Sequence, residues 1–356
     1  MILFIFFSNI FCKDVKRYIE VFPISSKSNF SNFMKDIKKC MNTPLNHTWE
    51  PTNTRKAENH YRDLQFRFQN YTRIRRKQYF TCTGPFLEVE FIRRLHSKPL
   101  SYFKPFIPLF IPWFSIYKTV EAKEYPPIID DILRLLKPEF LYLILSESDF
   151  GFISRFAFLS KLPPNIFILS PSGMGHVAIP WIQCSQKPIV QNGYDHFVSF
   201  VGNPRSIRER VEILETARAV FGKHLYEART SDWERIISRS KFSLSPRGLA
   251  VATFRTFELL RMEVVPIIIT DFIHWLPYYP KLNWSAFSIL TNHVELPRAA
   301  VKVLSMKDDE YNKMKLELHR VNEKFFQWDG FFQQLDNFFS GKEHYFSCSF
   351  AALTTC

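Results

Sequence analysis

From Ile128 onward the apolar positions fall into two periods. The stretch IIDDILRLLK, residues 128–137, spaces its apolar side chains as a helix does. FLYLILS at 140–146 and NIFILS at 165–170 are unbroken apolar runs of strand length. Such runs suit parallel strands covered on both faces. HFVSFVG at 196–202 predicts another strand, followed by a helix from about Ile207 to Phe221 with Val211, Leu214 and Ala217 or Arg218 on successive turns. DWERIISRS predicts a short helix, KFSLS a strand, TFRTFELLRM a helix and VVPIII a strand. This β-α-β-α-β order with short links predicts a parallel, doubly wound α/β sheet. Ligands of such sheets bind beyond the carboxyl ends of the strands. The loops NPRS (203–206) and SPRG (245–248), and Asp271, fall at those ends. From Asp308 the chain reads as an amphipathic, charged helix.

The pattern before residue 128 is less regular. Residues 13–85 are polar, Asn-rich and charged. The basic run Arg55–Gln78, with interleaved aromatics, is either a solvated helix face or a surface for phosphates or membrane. The prolines in KPFIPLFIPWF, 104–114, break helices and predict an extended, buried loop or irregular strand. We divide the chain into a hydrophobic N-terminal segment (1–20), an N-terminal domain (21–190) and a C-terminal domain (191–340), with the linker in QCSQKPIVQNGYD.

Composition narrows the partners. The 356 residues suffice for two domains, and a hydrophobic content of 46% excludes wholesale disorder. A net charge of +13 suits an anionic partner: nucleic acid, an acidic membrane surface or a nucleotide diphosphate. The sequence has neither an RNP-type aromatic motif nor paired Cys/His finger spacing, so nucleic acid is not the expected partner. The six Cys include no CxxC pair, which argues against structural zinc; disulfides among a few of them fit an exported chain. MILFIFFSNIFC is shorter than the roughly twenty residues that cross a bilayer. It is either a signal-peptide core without its basic region or a buried first strand. Sequons at Asn29, Asn46, Asn70 and Asn283 lean toward a secretory route.

The chemistry concentrates between Lys241 and Asp271. In SPRG, Pro246 fixes one dihedral and Gly248 allows close approach of the backbone to a ligand. Arg247 would then present a forked guanidinium at a strand's carboxyl end, and the next helix, capped by Thr253, would point its positive end at the same crevice. The same residues also suit an ordinary strand-to-helix turn. Arg255 and Glu258 share a helix face. They form either a surface ion pair or a nucleotide contact in which Arg255 faces phosphate and Glu258 accepts from a ribose diol. Phe254, Phe257 and Leu260 are expected to pack that helix on the sheet.

KFSLSPRG, FRTFE and VVPIIITD together resemble the exostosin-type family, glycosyltransferase family 47. HFVSFVGN with SIRERVEIL, LPYYPKLNWSAFSI and LSMKDDEYNKM extend the resemblance over about 166–326. Two departures stand out. Glu263 occupies a position where the family usually has Gly, so it either alters a turn or crowds the donor site; Ser243 and Ser245 stand where Cys is common. The resemblance implies two Rossmann-like domains facing across a cleft, the GT-B fold. It implies an inverting transfer from a nucleotide-sugar donor, a UDP-sugar, held by the C-terminal half, to a glycan or glycoconjugate acceptor on the N-terminal half. By family position Arg247, Gly248, Arg255 and Glu258 bind the donor, and Arg205 in the NPRS loop is a further phosphate candidate. The general base is assigned to Asp149, with Glu147 and His176 as other options. No Asp-x-Asp motif is present, so neither a metal nor another cofactor is expected. A Golgi-type secretory or membrane-associated location is implied, with cytoplasm as the alternative. Two other readings stand: a decayed exostosin-like fold that binds glycans or anions, and a basic membrane- or nucleic-acid-binding protein acting through residues 55–78.

Overall fold

The computed structural model describes residues 19–21, 30–41, 43, 46, 48–72, 86–114, 116, 125–147, 163–172, 175–182, 193–248, 250, 252–270 and 273–349. Asp149, Asp271, residues 1–18 and residues 73–78 of the basic run lie outside them. The chain divides into two units. The first comprises Met1–Ile179, His274–Lys281 and Asp336–Cys356, and the second Pro180–Ile273 and Leu282–Leu335. Both are α/β, as the apolar runs and the resemblance imply; the second unit's sheet is parallel throughout, and the first adds antiparallel strands to a parallel group.

The first unit holds strands β1 (Ile19–Val21), β2 (Phe106–Pro108), β3 (Leu141–Leu145), β4 (Ile166–Ser170) and β5 (Val177–Ala178), and the late strand β11 (Ser347–Ser349). Their order is β1-β11-β5-β4-β3-β2. β2 to β5 run parallel, and β11 is antiparallel to both its neighbours. Every residue of β3 and β4 is buried, which explains why neither alternates polar and apolar positions. The proline-rich stretch supplies β2 and stays buried from Pro105 to Trp113. Helices α1 (Phe30–Cys40), α2 (Arg55–Thr72), α3 (Phe86–Leu95) and α4 (Tyr125–Arg134) complete the unit. On α2, Ala57, His60, Tyr61, Leu64 and Phe68 are buried, while Arg62 pairs with Glu58 and Arg67 with Asp63 on the outside. Over 55–72 the basic run is therefore an amphipathic helix with outer charges paired within it, while Lys56 pairs with Glu50 and Glu139 beyond it. A disulfide, Cys40–Cys348, joins α1 to β11.

The second unit begins with β6 (His196–Val201) and α5 (Arg208–Phe221). Then come β7 (Leu225–Ala228), α6 (Trp233–Ser238), β8 (Ser240–Pro246), α7 (Phe254–Arg261), β9 (Val265–Ile269) and β10 (Ile289–Thr291). Helices α8 (Leu296–Leu304) and α9 (Asp308–Val321) follow, and α10 (Trp328–Phe339) carries the chain back into the first unit. The five strands are all parallel, in the order β10-β9-β8-β6-β7.

The apolar pattern predicts neither β7 nor β10. β7 is an edge strand without a single fully buried residue, so it carries no apolar run. Its position still sets the topology. The chain builds outward from β6 to β7, then returns to the other side of β6 to lay down β8. The winding therefore reverses between β6 and β8, the switch point at which doubly wound sheets open a crevice.

Candidate functional site

Strand register brings the carboxyl ends together. Val201 of β6 pairs with Ala228 of β7, Ser199 with Ser243 of β8, and Pro246 with Ile269 of β9. Two buried hydroxyl pairs fix this region. Ser243 Oγ accepts from Ser199 Oγ and donates to the Ser199 carbonyl, both at 3.1 Å; Ser245 Oγ lies 2.8 Å from Thr256 Oγ1 of α7. Ser243 and Ser245 thus tie β8 to β6 and to α7, inside the sheet.

Helix α7 starts where the sequence predicts. Thr253 has extended dihedrals and its hydroxyl accepts from the Arg255 amide. Phe257 and Leu260 are buried, but Phe254 is 38% exposed and packs its ring on Trp181 instead of on the sheet. The expectation for Phe254 fails because it is the first helical residue, and α7 turns its inner face to β8 with Thr256 and Phe257.

Arg255 is held from three sides. Its Nη2 donates to the Val201 carbonyl at 3.0 Å, its guanidinium lies 4.5 Å from the Trp233 ring centroid, and its Nη1 is 3.0 Å from Glu258 Oε2. The last contact is an ion pair by distance but lacks hydrogen-bond alignment, so Nη1 is buried without an acceptor among the described residues. Geometry decides here: the charges attract, while the N–H itself stays unsatisfied. Burial lowers the Arg255 pKa against the opposing pull of Glu258 and Glu234.

Arg247 is half-buried, and its Nε is likewise buried with no acceptor among the described residues. The Ser206 hydroxyl, in the loop after β6, is a third such group. A Cβ on Gly248 would make an ordinary 3.6 Å contact with Arg210, and Gly248 has no positive φ, so the fold itself does not demand glycine there. Arg205 is exposed; its amide donates to Asn203 Oδ1. Arg210, which the residue-by-residue reading passes over, packs against the SPRG loop: its Nε and Nη2 donate to the Arg247 carbonyl at 3.1 and 2.8 Å. The signal available for it was its place in the first turn of the helix after NPRS.

In the first unit the base candidates divide. Glu147 is buried, and its Oε2 accepts the amides of Leu87 and Glu88 at 3.1 and 3.4 Å, capping α3. Glu88 reciprocates, accepting from the Glu147 amide at 2.8 Å. His176 is buried and stacks on Phe167, and burial pulls its pKa down to about 3. Its Nδ1 accepts from the Ile168 amide at 2.9 Å, so the neutral ring has no free lone pair to take a proton. His176 is thus a core residue and not a base. Among the described residues no three His, Cys, Asp or Glu side chains gather as a metal site, and no helix is long and apolar enough to cross a membrane.

Glu263 lies at the other end of the sheet. It sits in the turn between α7 and β9, five residues or more before the strand's carboxyl end, or roughly 16 Å along the strand. Its φ of 55° is left-handed, a conformation that glycine adopts without strain. It alters a turn and does not crowd the strand-end loops.

Residues 176–306 match the family model for the Exostosin GT47 domain. The match spans β6 to α8 and contains every group described above at the β6 and β8 ends. Two Arabidopsis thaliana proteins described as "Probable glycosyltransferase" are 33% identical over 87 residues and 28% identical over 102 residues. These segments cover 24% and 29% of this chain, and 18% and 20% of the two relatives. The "Exostosin-1 homolog" of Caenorhabditis elegans is 33% identical over 60 residues, 17% of this chain and 15% of that protein. The chain thus spans a fifth or less of the length of these relatives. The solved structure of S. aureus TarM aligns with 62% of this chain and 48% of its own at 12% identity, with a TM-score of 0.35, too low to bear on the fold.

Proposed function

We propose that the chain transfers a sugar from a nucleotide-sugar donor to a glycan or glycoconjugate acceptor, with inversion at the anomeric carbon. One observation carries the reading. Within the exostosin-matching segment, the hydroxyl of Ser206 and the guanidiniums of Arg247 and Arg255 each hold a buried donor atom without an acceptor among the described residues, at the β6 and β8 loops and the start of α7. Unsatisfied buried donors are costly, and a diphosphate satisfies several at once.

In this reading Arg247 and Arg255 take the diphosphate oxygens and stabilise the charge that builds on the leaving group. Gly248 admits the donor to the loop backbone, Glu258 accepts from the ribose, and exposed Arg205 adds positive charge at the rim. UDP as the nucleotide rests on the family resemblance. The first unit takes the acceptor, Asp149 removes its proton, and neither metal nor cofactor is required because guanidiniums supply the positive charge. The Cys40–Cys348 disulfide supports a secretory location, since such bonds persist in oxidising compartments. The sequon residues Asn46 and Asn283 are exposed, as glycan acceptors must be. Glu263, one ground for a decayed, merely binding fold, no longer supports that alternative, being remote from the strand-end loops.

Thermal-shift titration with UDP, GDP and several UDP-sugars tests the proposal, beside Arg247→Ala and Glu258→Ala. A shift with one nucleotide, lost in both variants, is expected. No shift with any nucleotide would overturn the donor site.

A further inference from the structure

The switch point between β6 and β8 is bridged by one side chain. Arg210 Nη1 donates to the Asn203 carbonyl, in the loop after β6, at 3.2 Å. Its Nη2 donates to the carbonyls of Pro246 and Arg247, after β8, at 3.2 and 2.8 Å, and its Nε also donates to Arg247 at 3.1 Å. A guanidinium has five N–H donors, and Arg210 spends four of them on loop carbonyls. No carboxylate neutralises it: among the described residues it has no ion pair. Burial and the neighbouring charge of Arg255 pull its pKa down to about 10, so it stays protonated at neutral pH.

We infer that Arg210 is a positioning residue: it clamps the NPRS and SPRG loops in the spacing that a nucleoside diphosphate needs, and so sets the donor affinity of the site. The inference rests on the donor-site reading above and goes beyond it. With its donors spent on carbonyls, Arg210 has little left for phosphate. Arg247 is the opposite case, because its carbonyl is fixed by Arg210 while its own Nε stays unsatisfied among the described residues. The clamp therefore aims Arg247. Its positive charge adds to those of Arg247 and Arg255 at the crevice, where Glu258 and Glu234 are the carboxylates that act on Arg255. A lysine cannot substitute, because one ammonium cannot reach carbonyls on both loops in the fork geometry.

The test is isothermal titration of UDP into the full chain as wild type, Arg210→Ala, Arg210→Lys and Arg298→Ala, the last an exposed arginine on α8 outside the site, each with a thermal melt in the absence of ligand. Wild type and Arg298→Ala should bind within about threefold of one another. Both Arg210 variants should bind ~10–100-fold more weakly, the loss expected when binding groups move by about an ångström. Free guanidinium ion at millimolar levels should restore part of the affinity of Arg210→Ala and leave that of Arg298→Ala unchanged, which a merely structural role would not produce. The clamp is overturned if folded Arg210→Lys binds UDP as wild type does, or if the loss in Arg210→Ala follows its unfolded fraction and guanidinium does not rescue it. If wild type binds neither UDP nor GDP, the donor-site reading itself falls and takes the clamp with it; the two failures are told apart by the wild-type titration.

Discussion

Glu263 Oε1 lies 2.6 Å from His319 Nδ1, and the Glu263 carbonyl accepts from Lys315 Nζ. Two residues of α9 thus hold a left-handed turn that glycine would adopt without strain. The turn stands at the amino end of β9, away from the loops that carry Ser206, Arg247 and Gly248.

Glu263→Gly should accordingly leave UDP affinity unchanged, and the relief of about 1 kcal/mol of left-handed strain should oppose the loss of the His319 contact. That contact has a definite pH dependence. The hydrogen bond that His319 donates to Glu263 raises the His319 pKa above 6.5, so its contribution is fully present below pH 6.5 and fades as pH rises through the raised value. Melting curves at pH 6 and pH 8.5 should show the variant comparing better with wild type at the higher pH. A variant that folds yet no longer binds nucleotide would contradict this placement of Glu263.

Arg247 and Arg255 should separate stability from binding. Arg247 Nε has no acceptor among the described residues, so Arg247→Ala should melt within a few degrees of wild type while UDP affinity falls at least tenfold. Arg255 bonds to Val201 and lies over Trp233, so Arg255→Ala should lose about 2 kcal/mol as well as binding. Equal melting temperatures for the two variants would show that the Val201 and Trp233 contacts contribute nothing.

The Cys40–Cys348 bond closes a loop of 308 residues. Chain-entropy reasoning puts its stabilisation at up to ~5 kcal/mol. Peptide mapping without reductant should recover the two cysteine peptides linked, and reductant or Cys348→Ser should lower the melting temperature by several degrees. Recovery of free thiols at both positions from secreted protein would remove this support for an oxidising compartment.

Glu88 offers a second pH test. Burial pushes its carboxyl up to about 8, against the pull of the Glu147 and Phe114 amides. An acid whose folded pKa is raised keeps its proton in the folded state when the unfolded chain has lost it. Its stability contribution is therefore full below the unfolded value of 4.5 and is lost progressively as pH rises to about 8. Wild type should lose melting temperature over that window, and Glu88→Gln, though less stable for facing an amide N–H with a donor, should show a flatter profile. Parallel profiles would mean that Glu88 is ionised in the folded chain.

Much of the second unit was legible because its strands announce themselves. β9 is covered on both faces, so its sequence is an unbroken apolar run; β8 alternates Phe242 and Leu244 with serines whose hydroxyls are bonded inside the sheet, and Thr253 is a cap whose chemistry is local. The SPRG, FRTFE and VVPIII segments carry the family resemblance for the same reason: each is a short contiguous motif. The sequence alone therefore determined the parallel α/β class, the strand-end position of Arg247 and the helical neighbourhood of Arg255 and Glu258.

What it could not determine depends on contacts distant in the chain. β7 is a half-exposed edge strand with no apolar signature, yet it places the switch point between β6 and β8. Phe254 faces outward because of its phase on α7, and His176 is spent on the Ile168 amide, although a His in a loop reads as a base. Arg210 lies 37 residues from the carbonyl it holds, and no spacing rule joins them. Nor does chain order reveal that residues 274–281 and 336–349 pack with the first unit. Local sequence sets backbone preference and apolar period, whereas the partner of a buried guanidinium or imidazole is settled only when parallel strands, joined by long crossovers, bring separate loops to one edge.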